Sequence, residues 1–191
     1  MDPARPHDPF ANPWTRLSRR KVYENPWIEV YHDDVLRPDG RPGVYGVVHY
    51  RNYAVGVVAL DEQERVLLVG QYRYSLGRYS WEIPEGGAVI GEEEPLDCAR
   101  RELAEETGYA AREWRELLRS HLSNSVCDEL GICFLATGLT PGVARPDGTE
   151  LLQVRWVPFD EAYWMTVTGE ITDSLTMLGL QRVALLRLGV V

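Results

Sequence analysis

Cysteine and long apolar runs are scarce in this sequence, and their scarcity excludes several classes of protein. Three of its 191 residues are cysteines, Cys98, Cys127 and Cys133, an odd number without the spacing of metal ligands. A disulfide framework or a zinc cluster is therefore not expected, and we predict reduced thiols in a cytoplasmic protein. No stretch is apolar over the length that crosses a bilayer, so we expect neither a membrane partner nor a signal peptide.

Positive charge is scarce as well. The chain has 20 lysine and arginine residues against 29 aspartate and glutamate residues, a formal net charge of −9. This balance argues against nucleic acid and anionic membranes as partners, since both require a basic surface. It is compatible with a small-molecule nucleotide substrate, because bound metal ions can invert the local charge. The length and the hydrophobic fraction of 45% fit one globular domain with a sizeable core.

The stretch between Trp81 and Tyr109 predicts a helix in its second half. Residues 95–107 consist mainly of Ala, Leu, Glu and Arg, which are good helix formers. Pro95 suits the first turn, and the three glutamates before it complement the positive end of a helix. Gly108 follows at the position where a left-handed residue commonly ends a helix.

Three carboxylates in this helix have a spacing that suits metal binding. Glu102, Glu105 and Glu106 stand at i, i+3 and i+4, so their side chains crowd one helix face. Like charges so placed repel by about 0.2–0.5 kcal/mol per pair. Clustered carboxylate oxygens suit Mg²⁺ or Mn²⁺, and a bound cation would remove the repulsion. A solvated acidic face is the alternative that the spacing alone leaves open.

The wider pattern around these glutamates is specific. Gly87, five residues, Glu93, seven residues and then Arg101–Tyr109 resembles the Nudix box, G-x5-E-x7-R-E-U-x-E-E-x-G-U. All seven fixed identities of that pattern are present. Tyr109 departs from the aliphatic residue that usually ends it.

The segment before the box contains a second departure. Residues 81–86, WEIPEG, would make Gly86 the box glycine, which leaves one residue inserted before the helix. The resemblance implies that one backbone carbonyl in this segment faces the metal. Because of the inserted residue, that carbonyl belongs to either Glu85 or Gly86.

The resemblance implies an α/β fold, the Nudix α/β/α sandwich with a mixed β-sheet, preceded by a small N-terminal antiparallel strand region. We accordingly divide the chain into an extended or disordered lead (1–18), a strand region for dimerisation (19–50) and a Nudix hydrolase domain (51–191). Apolar periodicity and turn residues predict strands within 20–35 and at 43–50, 53–60, 65–73, 131–137 and 151–157, and helices at 94–107, 158–167 and 172–188. Residues 114–121 fit either a strand or a helix, and 138–150 read as a loop.

Within the family, the chain is similar to the ADP-ribose and nucleoside diphosphate sugar pyrophosphatases. The similarity lies in strands ahead of the core, in Gln71–Arg73 and in Trp81–Gly86 before the box. It implies hydrolysis of such a pyrophosphate with Mg²⁺ as cofactor, Mn²⁺ as an alternative ion, and a homodimer that exchanges its N-terminal strands. The alternatives are a Nudix hydrolase for another nucleotide, such as GDP-mannose or a dinucleotide, and a non-catalytic nucleotide-binding module.

The resemblance also assigns roles around the box. Glu102 and Glu106 are expected to be the principal Mg²⁺ ligands, and Glu105 to bridge metals or hold the attacking water. The backbone of Gly86 joins the metal ligands. The N–H groups of the loop that includes Gly87 are expected to face the substrate phosphates.

Two residues before the box have alternative roles. Arg73 is expected to bind a phosphate, for which the planar guanidinium fork is suited, or else to form a surface ion pair. Glu82 is expected near the metal or the terminal ribose, or else as the partner of a nearby arginine. Arg101 is expected to be structural, pairing with Glu93 to fix the loop against the helix.

The last expected roles concern the base and the proton. Trp27 and Tyr45 match positions where relatives place aromatic rings on the nucleobase, although core or dimer-interface packing is the alternative for both. A loop carboxylate is expected to act as the catalytic general base. The resemblance places this carboxylate on the loop before the last strand, where Glu150 fits, and we favour it over Glu129, which ends the loop 123–129 after the box.

Overall fold

The computed structural model describes residues 10–145 and 151–191. Its elements run in the order β1 (Thr15–Glu24), β2 (Ile28–Leu36), β3 (Pro42–Tyr50), β4 (Asn52–Ala59), β5 (Arg65–Arg73), β6 (Arg78–Glu82), β7 (Glu85–Val89), α1 (Pro95–Thr107), β8 (Tyr109–His121), β9 (Leu130–Pro141), β10 (Gln153–Pro158), α2 (Phe159–Thr168) and α3 (Ser174–Arg187). They form two compact units. One comprises the described residues up to Arg51 with Ser125–Asp128, and the other the described residues of Asn52–Asn124 and Glu129–Val191.

The first unit is an antiparallel sheet in the order β1-β2-β3. The tight turn between β1 and β2 is closed by Asn25, whose side-chain oxygen accepts hydrogen bonds from the backbone N–H groups of Trp27 and Ile28 at 2.9 Å each. Strand β1 begins at Thr15, inside the segment assigned to the lead, and the part of that lead before residue 10 lies outside the described residues. A short segment around Cys127 pairs with β3 through Val48.

The second unit contains a mixed sheet in the order β7-β4-β9-β8, in which β4 and β9 run parallel and the other pairs antiparallel. A three-stranded antiparallel sheet, β10-β5-β6, accompanies it. Helix α1 packs against β4, β7 and β8, whereas α3 packs against β4 and β9. This arrangement of helices around a mixed sheet confirms the predicted fold class.

Strand β4 lies at the centre of the core because its side chains alternate between two apolar clusters. Val55, Val57 and Ala59 join the cluster that includes Leu103 of α1. Val58 joins the other cluster, which includes Leu175 and Leu180 of α3. All of these side chains are at most 1% exposed. The strand therefore fixes where both helices lie.

The structure decides one ambiguity of the sequence and departs from the sequence expectation in three places. Residues 114–121, which fitted either a strand or a helix, belong to strand β8, which pairs with β9 along its length. Strand β6 (Arg78–Glu82) was not predicted. Strand β9 continues to Pro141, into the segment expected as a loop. Strand β7, which contains consecutive glycines, was not expected, because glycine is depleted in strands; its pairing with β4 overrides that preference. In the described part of the chain, no helix combines the length and apolarity that a bilayer span requires.

Helix α3 approaches β4 closely because Gly56 has no side chain. A Cβ atom at Gly56 would lie 2.9 Å from Ile83 Cδ1 and 3.0 Å from Leu175 Cδ2, closer than these atoms can pack. The same helix contributes Gly179, where a Cβ would lie 2.8 Å from Cys133 Sγ. Small residues on both sides of the contact thus set the distance between α3 and the sheet.

The substitution Gly56→Ala is expected to reduce the free energy of unfolding by about 1–3 kcal/mol, because the added methyl overpacks the contact with α3. Urea denaturation measures this change. Gly46→Ala is the matched control in another strand, since a Cβ there meets nothing within 4 Å. Equal stability of the two variants would contradict the close approach.

Candidate active site

Helix α1 forms as the sequence indicates, between Pro95 in its first turn and Gly108 at its C-terminal end. Gly108 has a φ of 76° and ends the helix in the left-handed region, where a side chain would be strained. Cys98, Ala99 and Leu103 are fully buried against the sheet. That burial fixes the rotation of the helix about its axis, and thereby the directions of Glu102, Glu105 and Glu106.

Two of the three glutamates face strand β7. The backbone N–H of Glu85 donates to Glu106 Oε2 at 3.2 Å, and Glu106 is 3% exposed. Glu102 lies where Gly86 would carry a side chain: a Cβ at Gly86 would overlap the Glu102 carboxylate and lie 2.5 Å from its Cγ. The Glu85–Gly86 edge of β7 and the acidic face of α1 are therefore in direct contact.

Arg101 connects the remaining carboxylates of the box. Its Nε and Nη2 donate to Glu93 at 3.0 and 2.9 Å, and its Nη1 donates to Glu102 at 2.6 Å and to Glu105 at 3.1 Å. Nη2 also approaches the carbonyl oxygen of Gly87 at 3.4 Å. The hydrogen bond from Arg101 lowers the pKa of Glu93 below its usual value. One guanidinium thus ties the loop after β7 to the helix.

The opposite side of β7 meets the first turn of α3. The Thr176 hydroxyl accepts from the backbone N–H of Ile83 at 3.0 Å and donates to Glu85 Oε1 at 3.2 Å. Asp173 caps α3 by accepting from the Thr176 N–H at 2.7 Å. Burial, followed by the neighbouring charge of Asp173, raises the pKa of the Glu85 carboxyl well above its usual value. Sequence reasoning missed Thr176 and Asp173, for which the only signal was a helix N-cap pattern.

Arg73 and Glu82 pair with each other. Arg73 Nε lies 3.0 Å from both carboxylate oxygens of Glu82, and Nη2 donates to Oε2 as well. Glu82 is 3% exposed, and its hydrogen bond raises the pKa of Arg73. Their assignments to phosphate, ribose or metal stay predictions. In the structure the two residues form an ion pair with each other, which was the alternative considered for each.

The two predicted aromatic residues lie in the first unit. Trp27, in the turn after β1, is 63% exposed. Tyr45 on β3 donates its hydroxyl hydrogen to the carbonyl oxygen of Ser125 at 2.7 Å, and Trp14 packs against its ring edge-on with centroids 5.3 Å apart. Base stacking by Trp27 and Tyr45 stays a prediction.

Of the two candidate general bases, Glu129 lies within the described residues and Glu150 does not. The backbone carbonyl of Glu129 accepts from the Leu122 N–H at 3.3 Å, which closes the loop before β9, and its side chain is half-buried. Glu150 lies outside the described residues. The choice between the two stays a prediction.

The donor chemistry around α1 fits a hard divalent cation. Within the described ranges, no group of three or more His, Cys, Asp or Glu side chains is already arranged to hold a metal ion. The hydrogen bonds explain why: Arg101 draws Glu102 and Glu105 toward itself, while Glu106 accepts from the N–H of Glu85. Carboxylates on one helix face beside a glycine backbone supply the oxygen ligands that Mg²⁺ and Mn²⁺ prefer.

Gly86→Ala is expected to weaken Mn²⁺ binding by ~10-fold or more, because the added methyl takes the space of the Glu102 carboxylate. Titration of Mn²⁺ followed by electron paramagnetic resonance of the free ion measures this affinity. Gly46→Ala, which introduces a methyl into open space, is the control. Wild-type affinity in Gly86→Ala would contradict metal binding by Glu102 from its position against Gly86.

Family models match most of the chain. A model described as NUDIX domain matches residues 50–175, and one described as nucleoside diphosphate sugar hydrolase N-terminal domain matches residues 14–48. The boundary between the two matches lies close to Arg51, where the first compact unit passes into the second.

Individual proteins are similar over nearly the whole chain. The ADP-ribose pyrophosphatase of Mycobacterium tuberculosis is 34% identical over 166 residues, which cover 85% of this chain and 79% of the relative. The CMP-5'-(N-acetyl-N-hydroxy-3-aminopropyl)phosphonate hydrolase of Streptomyces rubellomurinus is 32% identical over 176 residues, covering 92% and 84%. A crystal structure of an ADP compounds hydrolase has the same fold, with a TM-score of 0.80, 22% identity and coverage of 93% and 97%.

Proposed function

Because this chain belongs to the Nudix hydrolase family, we propose that it hydrolyses the pyrophosphate bond of ADP-ribose or a related nucleoside diphosphate sugar, with Mg²⁺ as cofactor. The products would be a nucleoside monophosphate and a sugar phosphate. The observation that carries this proposal is the contact of Glu102 and Glu106 with the Glu85–Gly86 edge of β7. The similarity to an ADP-ribose pyrophosphatase at 34% identity supports the substrate class.

Four groups would hold the metal: the carboxylates of Glu102, Glu105 and Glu106, and the backbone carbonyl of Gly86. When bound, Mg²⁺ or Mn²⁺ neutralises charge on the pyrophosphate and lowers the pKa of the attacking water. Glu105, whose side chain is 45% exposed and therefore reachable from solvent, would orient that water. Arg101 donates to Glu102 and Glu105 and so holds both carboxylates near the loop after β7.

Substrate phosphates would be bound by Arg73 and by backbone N–H groups of the loop at Gly87. Glu82 engages Nε and Nη2 of Arg73, so the pair fixes the guanidinium plane and Nη1 can be directed to a phosphate oxygen. Fixed donors of this kind stabilise negative charge that develops on the leaving phosphate. Trp27 and Tyr45 are proposed to stack on the base.

We also propose that the protein is a cytoplasmic homodimer formed through its N-terminal sheet. All ten residues of β1 are exposed, and they include the apolar side chains of Leu17, Val22 and Tyr23. An exposed edge strand with apolar side chains is suited to pairing with another chain. Three cysteines in a chain of this length, without the spacing of a disulfide framework, support the cytoplasmic part of the proposal.

Incubation with Mg²⁺ and ADP-ribose is expected to release AMP and ribose 5-phosphate, and Glu106→Gln should reduce kcat by ~100-fold or more, since it removes a metal ligand. Chromatography of the products measures both. Glu116→Gln is the control, because Glu116 pairs with Arg119 on strand β8. Unchanged activity of Glu106→Gln would refute its assignment.

A substrate panel distinguishes the alternatives. Release of GMP from GDP-mannose, or cleavage of a dinucleotide, without AMP from ADP-ribose would assign another nucleotide substrate. Tight binding of ADP-ribose without turnover in Mg²⁺ or Mn²⁺ would indicate a binding module.

The general base is proposed to be Glu150, with Glu129 as the alternative. Glu150→Gln is expected to lower kcat by about 10²–10⁴-fold with little change in KM, because the amide cannot take a proton from water. Glu129→Gln is the matched comparison and should change kcat far less. The reverse order in steady-state kinetics would assign the role to Glu129.

A further inference from the structure

The first turn of α3 contacts strand β7, which faces the acidic side of α1. The residues of this turn have no part in the proposed reaction as described above. Strand β7 lies between these two helices. Its Gly86 faces Glu102 of α1, and the carboxyl group of its Glu85 faces Thr176 of α3. The NUDIX domain match ends at residue 175, one residue before Thr176.

Thr176 is well placed to fix this strand. It is fully buried, and its single hydroxyl makes two hydrogen bonds, accepting from the Ile83 N–H at 3.0 Å and donating to Glu85 Oε1 at 3.2 Å. These two bonds span Pro84, which has no N–H of its own to donate. A buried hydroxyl that satisfies both a backbone donor and a carboxylate restricts the positions open to the segment between them.

Glu85 links α3 to α1 across strand β7. Its side chain is bonded to Thr176, while its backbone N–H donates to Glu106 Oε2 at 3.2 Å. The next residue, Gly86, lies against Glu102. A shift of Glu85 therefore moves the backbone against which both glutamates rest.

We propose that Thr176 is a positioning residue, which acts through Glu85 to hold the Glu85–Gly86 edge where Glu102 and Glu106 can share a divalent cation. The inference rests on the proposed metal-dependent function. Outer partners of metal ligands typically change metal affinity or activity by ~10–100-fold when they are removed. Asp173 supports the arrangement by capping the turn that contains Thr176.

The test is Mn²⁺ affinity, read by electron paramagnetic resonance, together with the Mg²⁺ concentration that gives half-maximal turnover. Thr176→Val keeps the shape of the side chain and removes the hydroxyl. It is expected to raise the Mn²⁺ dissociation constant and the Mg²⁺ requirement by ~10-fold. Thr176→Ser restores the hydroxyl and should return both values to within about twofold of wild type, within ordinary context effects.

Thr166→Val is the control for loss of a buried hydroxyl. Thr166 is 7% exposed, and its hydroxyl donates to the Tyr163 carbonyl at 2.7 Å within α2, so both metal readouts should match wild type. Glu85→Ala covers the case in which Thr176→Val does not fold. It leaves the Thr176–Ile83 bond in place, releases Glu85 from α3, and should weaken Mn²⁺ binding in the same direction.

The possible outcomes separate the two proposals. Wild-type Mn²⁺ affinity in Thr176→Val and in Glu85→Ala would overturn the positioning role, whatever the substrate. Failure of the wild type to hydrolyse any nucleotide, with Mn²⁺ binding weakened in these variants, would overturn the proposed reaction and leave the positioning role standing.

Discussion

Repulsion among Glu102, Glu105 and Glu106 acts on one face of α1 while Cys98, Ala99 and Leu103 of the same helix pack against the sheet, and it is reduced by hydrogen-bond donors on two sides. Arg101 balances part of it by donating to Glu102 and Glu105 from one guanidinium nitrogen. The N–H of Glu85 balances another part by donating to Glu106. A divalent cation can take the place of both donors beside the carboxylate oxygens. The same arrangement would, in the proposed function, present these carboxylates to a metal ion.

The position of that acidic face depends on strand β4. Its residues alternate between the cluster under α1 and the cluster under α3, so each helix is fixed by the same strand. Gly56 and Gly179 let α3 approach closely. Because β7 pairs with β4 from Asn52 to Gly56, the Glu85–Gly86 edge is aligned with both helices. Packing, rather than the box alone, places the two sides of the site together.

Local sequence was sufficient to predict helix ends and strands where a residue type strongly prefers one backbone conformation or position. Pro95 and Gly108 fixed the ends of α1 to within a residue, and the run from 65 to 73 matches β5. The i, i+3, i+4 spacing of Glu102, Glu105 and Glu106 predicted that their side chains share one helix face. These features depend on neighbours within one turn or one strand, which is the range that periodicity and capping describe.

Long-range contacts were beyond the reach of that reasoning. Thr176 is separated from Glu85 by 91 positions in the sequence. Only the packing of α3 on the sheet brings the two residues together. Arg73 and Glu82 lie on neighbouring strands of a hairpin; an ion pair was an alternative for each, but only the pairing of the two strands identifies them as partners of one another. Strand β7 was missed because Gly86 and Gly87 argue against a strand until β4 is there to pair with them.

The central claim is that Glu102 and Glu106 bind a divalent cation beside the Glu85–Gly86 backbone. Crystals soaked in Mn²⁺ and measured for anomalous scattering test it most directly. The claim predicts an anomalous peak within coordination distance of both carboxylates and of a backbone carbonyl at that edge. Glutamates still bonded to Arg101 and to the Glu85 N–H, with no peak between them at saturating Mn²⁺, would contradict it.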